Sequence, residues 1–181
     1  GFVLTVINET ATNSYEEHIP VALAKKHQPD WLADGVKLSL EGELSNRTQG
    51  NVELDFIQAN PDSLEKADEY MNIVRLIGQI SRLHYRPANN GKQAFGNLGV
   101  RLAKKFFQAV LFDPLAVTFD RLAKRGMEVQ VQGALQNSEY ETRNGITKRV
   151  LEIRADSDWT ELRQSAESLD PFANFGKKDQ A

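Results

Sequence analysis

Met127-Glu-Val-Gln-Val-Gln-Gly-Ala-Leu135 decides the fold, because the chain has already used the same pattern as Val36-Lys-Leu-Ser-Leu-Glu-Gly-Glu-Leu44. In the later stretch Met127, Val129 and Val131 alternate with Glu128, Gln130 and Gln132. That is the period of a strand with one buried and one free face. The flanks repeat as well: Trp31-Leu32 precedes Gly35, and Arg121-Leu122 precedes Gly126. Gly35 and Gly126, Gly42 and Gly133, and Leu44 and Leu135 all stand 91 positions apart. A period this long predicts two tandem copies of one small β-rich domain and excludes a solenoid.

Outward from that strand, the second copy is the more complete. Asn72–Ile80 is rich in β-branched residues, with Ile73, Leu76 and Ile80 for a core and Gly78 as a bulge or bend. Arg86-Pro-Ala-Asn-Asn-Gly91 is a turn cluster. A strand from Phe95 to Ala103, a hairpin tip at Lys104-Lys105 and a strand from Phe106 to Phe112 follow. Asp113-Pro114 starts a helix, with Asp113 as its cap, Leu115, Phe119 and Leu122 as its apolar face and Gly126 as its left-handed end. Arg143-Asn144-Gly145 turns the last hairpin into a strand over Lys148–Ala155. Three strands, a short helix and two strands are the plan of the OB-fold, a five-stranded Greek-key barrel.

The first copy follows the same order but starts at the second strand. Phe2–Ile7 and Tyr15–Ala24 are its second and third strands, and Gln28–Asp34 is a poor helix carrying Pro29. Val36–Leu44 and Asn51–Gln58 are its fourth and fifth strands. The expected architecture is therefore mainly β, with two tandem OB barrels, the first without its first strand, plus short helices. The expected boundaries are residues 1–60, a linker at 61–70 with a charged helical stretch, the second barrel at 71–163, and a tail at 164–181. A barrel short of one strand leaves an open edge for preceding residues, another segment or another chain to cover.

Bulk properties narrow the function classes. The 181 residues carry a net charge of −3 and no cysteine, which excludes disulfides, thiolate metal sites and cysteine nucleophiles. No apolar run is long enough to span a bilayer, and the start lacks the order of a secretory signal, so no membrane association and a cytoplasmic, nucleoid or organelle-matrix location are expected. Charge divides sharply along the chain: residues 1–68 carry −7 and residues 69–163 carry +5. Drift between two copies would produce such a division, and so would a polyanionic partner for the basic half. Enzyme signatures are missing. His18, His27 and His84 are scattered, no phosphate loop or nucleophile elbow occurs, and no cofactor or metal is expected.

Five stretches carry a family resemblance: Met71-Asn-Ile-Val-Arg-Leu-Ile-Gly78, Ala109-Val-Leu-Phe-Asp-Pro-Leu-Ala116, Leu122-Ala-Lys-Arg-Gly126, Val129-Gln-Val-Gln-Gly-Ala-Leu135 and Tyr140-Glu-Thr-Arg-Asn-Gly145. In order and spacing they resemble the bacterial single-stranded DNA-binding proteins over roughly residues 71–155. The first copy resembles the same domain through Ile19–Val21, Gly35–Leu44 and Val52–Ile57. The resemblance implies sequence-tolerant binding of single-stranded DNA, with RNA possible, in replication, recombination or repair. Bases would stack on Phe106, Phe112 and Tyr140, since every base offers a π-face. The family usually has tryptophan at the first and last of these, which implies weaker stacking here. Phosphates would meet Arg75, Arg82, Arg86, Lys92, Arg101, Lys104, Lys105, Arg143, Lys148 and Arg149. Four barrels are common in the family, which implies a homodimer of this two-barrel chain.

Other readings of the same residues stay open. Phe106 and Phe107 are adjacent on a strand, so one faces in and one out. Phe112 suits a barrel-end core as well as a stacking position, whereas Phe95 and Phe119 read as core. Trp31 and Trp159 read as packed at domain ends. The acidic Glu41 and Glu43 would repel DNA from the first copy. In the tail, Asp170-Pro171-Phe172 resembles the family's partner-recruiting tip, which implies replication or repair partners, but it lies short of the end and Lys177-Lys178 follow it. The alternative function is an OB-based interaction module of a replication-restart or conjugation complex with weak or no nucleic-acid binding, in which a partner strand joins the open edge.

Overall fold

The computed structural model describes residues 1–9, 14–69 and 71–163. The tail and its Asp170-Pro171-Phe172 motif lie outside the described residues. Twelve strands and one α-helix are present among them: β1 (Phe2–Glu9), β2 (Ser14–Ala22), β3 (Leu38–Ser39), β4 (Gly42–Gln49), β5 (Val52–Ala59), β6 (Glu65–Lys66), β7 (Val74–Arg86), β8 (Phe95–Leu102), β9 (Lys105–Phe112), α1 (Leu115–Leu122), β10 (Glu128–Glu141), β11 (Thr147–Ala155) and β12 (Glu161–Arg163).

The two copies share one strand order. In the first it runs β1-β2-β5-β4, and in the second β8-β9-β11-β10. The second copy adds β7 between β8 and β10, which closes its barrel. Among the described residues no strand bridges β1 and β4 in the first copy, so its sheet stays open where a first strand would run. The repeated glycines have a shared cause. A Cβ on Gly42 would meet Gln58 O at 2.6 Å, and one on Gly133 would run into Arg154 O, so in each copy the fourth strand lies against the backbone of the fifth.

By compactness the chain forms two units. One comprises Gly1–Val74 with Ala134–Ile153, the other Arg75–Gly133 with the chain from Arg154 onward. The long β10–β11 hairpin therefore runs through both. In the first unit its outer arm pairs with the first copy. Thr147, Lys148 and Arg149 form a parallel ladder with Val52, Glu53 and Leu54. In this unit Val21, Leu23 and Ala59 form one buried cluster with Phe2, Leu4 and Ile57 packed against it, and Val6, Ile19, Leu135, Leu151 and Ile153 are buried as well. In the second unit Leu98, Val100, Leu111, Val129 and Val131 are fully buried, and Phe119 of α1, 2% exposed, plugs the barrel.

Several local expectations need correction. Asp113 does not cap α1, because the helix starts at Leu115 and Pro114 occupies the cap without a side-chain bond. Gly126 takes a left-handed φ of 90°, but in the turn before β10 and not at the helix end, where Ala123 N–H donates to Phe119 O. Gly78 sits in regular strand, and the register shift falls between Ile80 and Arg82. A Cβ on Gly78 would meet Arg101 O at 2.6 Å, so this glycine serves close strand approach. No helix forms over Gln28–Asp34, since Pro29 drives Gln28 to an extended ψ of 121° after a 3-10 turn at Lys25–His27. The stretch after the linker is not helical either, because Glu65-Lys66 pairs with Leu38-Ser39. That pairing also explains why the expected strand over Val36–Leu44 breaks into β3 and β4.

Candidate nucleic-acid interface

Antiparallel registers fix which side chains share a face. Across β8 and β9, Phe95 faces Phe112, Asn97 faces Val110, Gly99 faces Gln108, and Arg101 faces Phe106. Across β7 and β8, Arg86 faces Phe95, His84 faces Asn97, Arg82 faces Gly99, and Gln79 faces Arg101. Directly opposed residues on neighbouring strands point to the same side. The outer face of β7-β8-β9 is thus four rows deep, with aromatic rings at both ends and an arginine in three of the rows. Phe106 is 66% exposed, whereas its neighbour Phe107 turns inward opposite the buried Val100. Phe106 and Phe112 are six residues apart, roughly 20 Å along an extended strand.

The arginines are held by neutral groups. Arg101 Nη2 donates to Gln79 Oε1 at 3.0 Å, and Arg82 Nη2 donates to Gln108 Oε1 at 3.5 Å. Gly99 makes the second arrangement possible, because a Cβ there would meet Arg82 Cγ at 2.7 Å. Arg86 lies over the Phe95 ring at 5.3 Å and Arg154 over the Phe112 ring at 5.0 Å. Arg75 donates twice to Gln132 Oε1, at 3.0 and 2.8 Å. Among the described residues none of these five arginines pairs with a carboxylate. At the centre of the face Asn97 Oδ1 is buried with no hydrogen-bond partner among the described residues. An acceptor left so costs about 1–3 kcal/mol until a donor reaches it.

Phe95 departs from its reading as core. It is half-buried on the outer face, edge-on to Phe112 with ring centroids 5.8 Å apart and planes at 72°. A turn at Ala103-Lys104, where Ala103 has φ 54°, sets this register. The tip lies one residue before the expected Lys104-Lys105, and no turn-forming residue in Arg101–Phe106 marks it, so no sequence signal would place Phe95 opposite Phe112. Arg154 was missed because it stands on β11, distant in sequence. Lys104 lies exposed in the same turn and Lys105 opens β9. Trp159 is 56% exposed and not packed as expected. Trp31 is half-buried beneath the Lys66 ammonium.

The hairpin candidates belong to the other unit, and their cations are differently placed. Tyr140 is 44% exposed near the end of β10, and Arg143 is exposed in the turn. Lys148 Nζ pairs with Glu53 Oε2 at 2.6 Å, and Arg149 Nε with Glu139 Oε2 at 2.6 Å. The Glu53 carboxylate holds Lys148 above the usual lysine range. Beside them burial pushes the Asp55 carboxyl up, although it accepts the Leu151 N–H at 3.0 Å. Asn137 of the same arm donates through its backbone and side-chain amides to Glu17 Oε2, at 2.8 and 3.0 Å. Carboxylates of the acidic copy thus occupy donors of the arm.

Among the described residues no group of three or more histidine or acidic side chains could hold a metal ion, and no helix is long and apolar enough to cross a membrane. No curated protein matches the chain. Among solved structures, it is similar to a deletion mutant of the single-stranded DNA binding protein from Thermus aquaticus, at 17% identity and a TM-score of 0.68 over 90% of this chain and 80% of that one. The wild-type Thermus aquaticus protein gives 15% identity and a TM-score of 0.65 over 91% and 95%. At these identities the likeness establishes the fold. Residues 71–160 match the model of the Single-strand binding protein family. Through its second barrel, this chain belongs to the single-strand binding protein family.

Proposed function

We propose that the chain binds single-stranded DNA with little sequence preference, along the outer face of β7-β8-β9. The observation that carries this is the coexistence, on one face, of exposed or half-exposed rings with arginines that no carboxylate neutralises among the described residues. Rings hold bases through their π-faces and arginines track phosphates. In this proposal Phe106, Phe112, Arg82, Arg86 and Arg101 form the principal contact, with Arg75, Lys92, Lys104 and Lys105 at its margins. Tyr140 and Arg143 are further contacts on the hairpin arm. Lys148 and Arg149 contribute less, because Glu53 and Glu139 already hold them. DNA replication, recombination or repair is the matching process and the cytoplasm the matching location. Fluorescence anisotropy with a labelled oligo-dT strand, titrated with salt, tests the proposal. Submicromolar affinity at low salt that falls steeply as salt rises is expected, and binding weaker than micromolar at low salt would refute it.

A second proposal concerns assembly. β1 pairs only with β2 and β4 only with β5 among the described residues, which leaves two strand edges open in the first copy. Such edges recruit strands. We propose that two chains associate, with sedimentation equilibrium as the test. The alternative, a protein-interaction module, draws on the same edges and predicts a peptide-filled edge without DNA affinity.

A further inference from the structure

We infer that the first copy holds a preformed slot along the open edge of β1, and that it takes an extended, basic peptide strand from another polypeptide. The inference goes beyond single-strand binding and does not depend on it. The second copy shows how such a slot is filled. There β7 lies antiparallel against β8, with Leu76, Gly78 and Ile80 buried and Arg75, Ile77 and Gln79 exposed. Ile80 is its anchor: the Ile80 N–H donates to Met127 O, and Ile80 O accepts from the Gly126 N–H, both at 2.8 Å. The turn that presents those two groups occurs again 91 residues earlier. Met127 N–H donates to Lys124 O at 3.1 Å and Val36 N–H to Ala33 O at 3.3 Å, while Gly126 and Gly35 take φ of 90° and 83°. In the first copy the Gly35 N–H and Val36 O have no backbone partner among the described residues. Both residues line a groove of about 430 Å3 that β1 lines from Gly1 to Val6, with Leu32 and Leu38 as further apolar lining.

The repeat and the lining together define the occupant. A strand seated as β7 is must turn alternate apolar side chains inward, because the groove opens on Phe2, Leu4 and Leu32, which pack against the buried Val21, Leu23 and Ala59. Its outward residues meet Glu16, Asp34 and Glu69, which line the same groove with a single lysine, Lys37, in a copy whose residues 1–68 carry −7. Basic outward residues complement that charge. A second copy of this chain does not supply such a strand from its open edges. Its β1 already turns Phe2 and Leu4 into its own core, and β4 carries Glu43 and a single large apolar residue, Leu44. Main-chain bonds to β1, Gly35 and Val36 give the affinity, and the alternate apolar contacts give the selectivity.

The test uses the full chain and a synthetic peptide with the sequence of residues 72–82, Asn-Ile-Val-Arg-Leu-Ile-Gly-Gln-Ile-Ser-Arg, which has the required alternation and basic charge. Amide hydrogen exchange should slow in β1 and at Gly35 when the peptide is added, and stay unchanged in β4. The same peptide with Ile80→Asp should bind more weakly by roughly tenfold or more, since a charge would enter the apolar side of the groove. That change lies in the peptide, so the fold of the chain is untouched. In the chain, the exposed pair Asp34→Asn and Glu69→Gln should weaken the peptide about two- to tenfold at low salt and leave oligo-dT binding unchanged. Protection confined to β7 and β10, the sign of strand exchange in the second barrel, would overturn the inference. So would the absence of protection at about 1 mM peptide. So, too, would β1 and Gly35 amides already protected in a peptide-free chain that sediments as a dimer, because a second copy would then hold the slot. Oligo-dT binding is measured separately, and its failure leaves the slot standing.

Discussion

Phe106 and Phe107 are adjacent on β9 and should fail in opposite ways when truncated. Phe106 is 66% exposed and shares its face with Arg101, so Phe106→Ala removes a platform and little packing. A base–aromatic stack contributes about 1–3 kcal/mol, so affinity for oligo-dT should drop roughly 5- to 150-fold. Surface truncation of this kind leaves stability within about 0.5 kcal/mol. Phe107 points inward opposite Val100, which is fully buried. Complete burial would make Phe→Ala cost about 3–5 kcal/mol. For this half-buried ring we expect about half of that, with affinity of the folded fraction nearly unchanged. Urea denaturation measures the first quantity and anisotropy the second, on the same two variants. A Phe106→Ala variant that is destabilised yet binds normally, or a stable Phe107→Ala variant that has lost binding, would show that the face is assigned the wrong way round.

Other perturbations follow from the same geometry. Burial raises the Asp55 carboxyl, so ionising it costs stability: its contribution is fully present below the ordinary carboxylate value of 3.8 and is lost as pH rises through the raised folded value. Asp55→Asn keeps an acceptor for Leu151 N–H and should match or exceed wild-type stability at neutral pH, with the difference shrinking on acidification, as urea midpoints across pH would report. Lys148 is raised by Glu53, so that pair's contribution is present below the ordinary value of 10.5 and is lost as pH climbs through the raised one. Both side chains are partly exposed, and a double-mutant cycle of Lys148→Met with Glu53→Gln should give a coupling of about 0.2–1 kcal/mol. Phe119→Ala, in the plug of the second barrel, should cost about 3–5 kcal/mol in the same denaturation assay.

The sequence made the strands of the second copy legible because their apolar residues alternate without interruption, as at Val129 and Val131. It also showed the repeated glycines, whose shared role against the fifth strand emerged only with the sheet. Local chemistry misled where two signals competed. Asp113 is a good cap by type, yet Pro114 takes the cap position, and the charged stretch after the linker is drawn into a two-residue ladder with Leu38-Ser39. In the candidate site, Phe106 and the arginines of β7 and β8 were legible from residue type and order. Phe95 was not, because an aromatic amid apolar neighbours looks like core until the hairpin register pairs it with Phe112. The neutralised state of Lys148 and Arg149 was also hidden. For Lys148 it depends on a parallel pairing with Glu53 across some 95 residues of chain, which no local pattern encodes, whereas Arg149 is held by Glu139 across its own hairpin.

The salt dependence of oligo-dT binding by the triple variant Arg82→Gln, Arg86→Gln and Arg101→Gln tests the nucleic-acid face most directly. Each arginine that meets a phosphate contributes about 0.7 to the slope of log affinity against log salt, so the triple variant should lose about 2 from that slope and bind far more weakly at low salt. A slope and affinity equal to the wild type's would place the strand elsewhere on the protein and contradict the account.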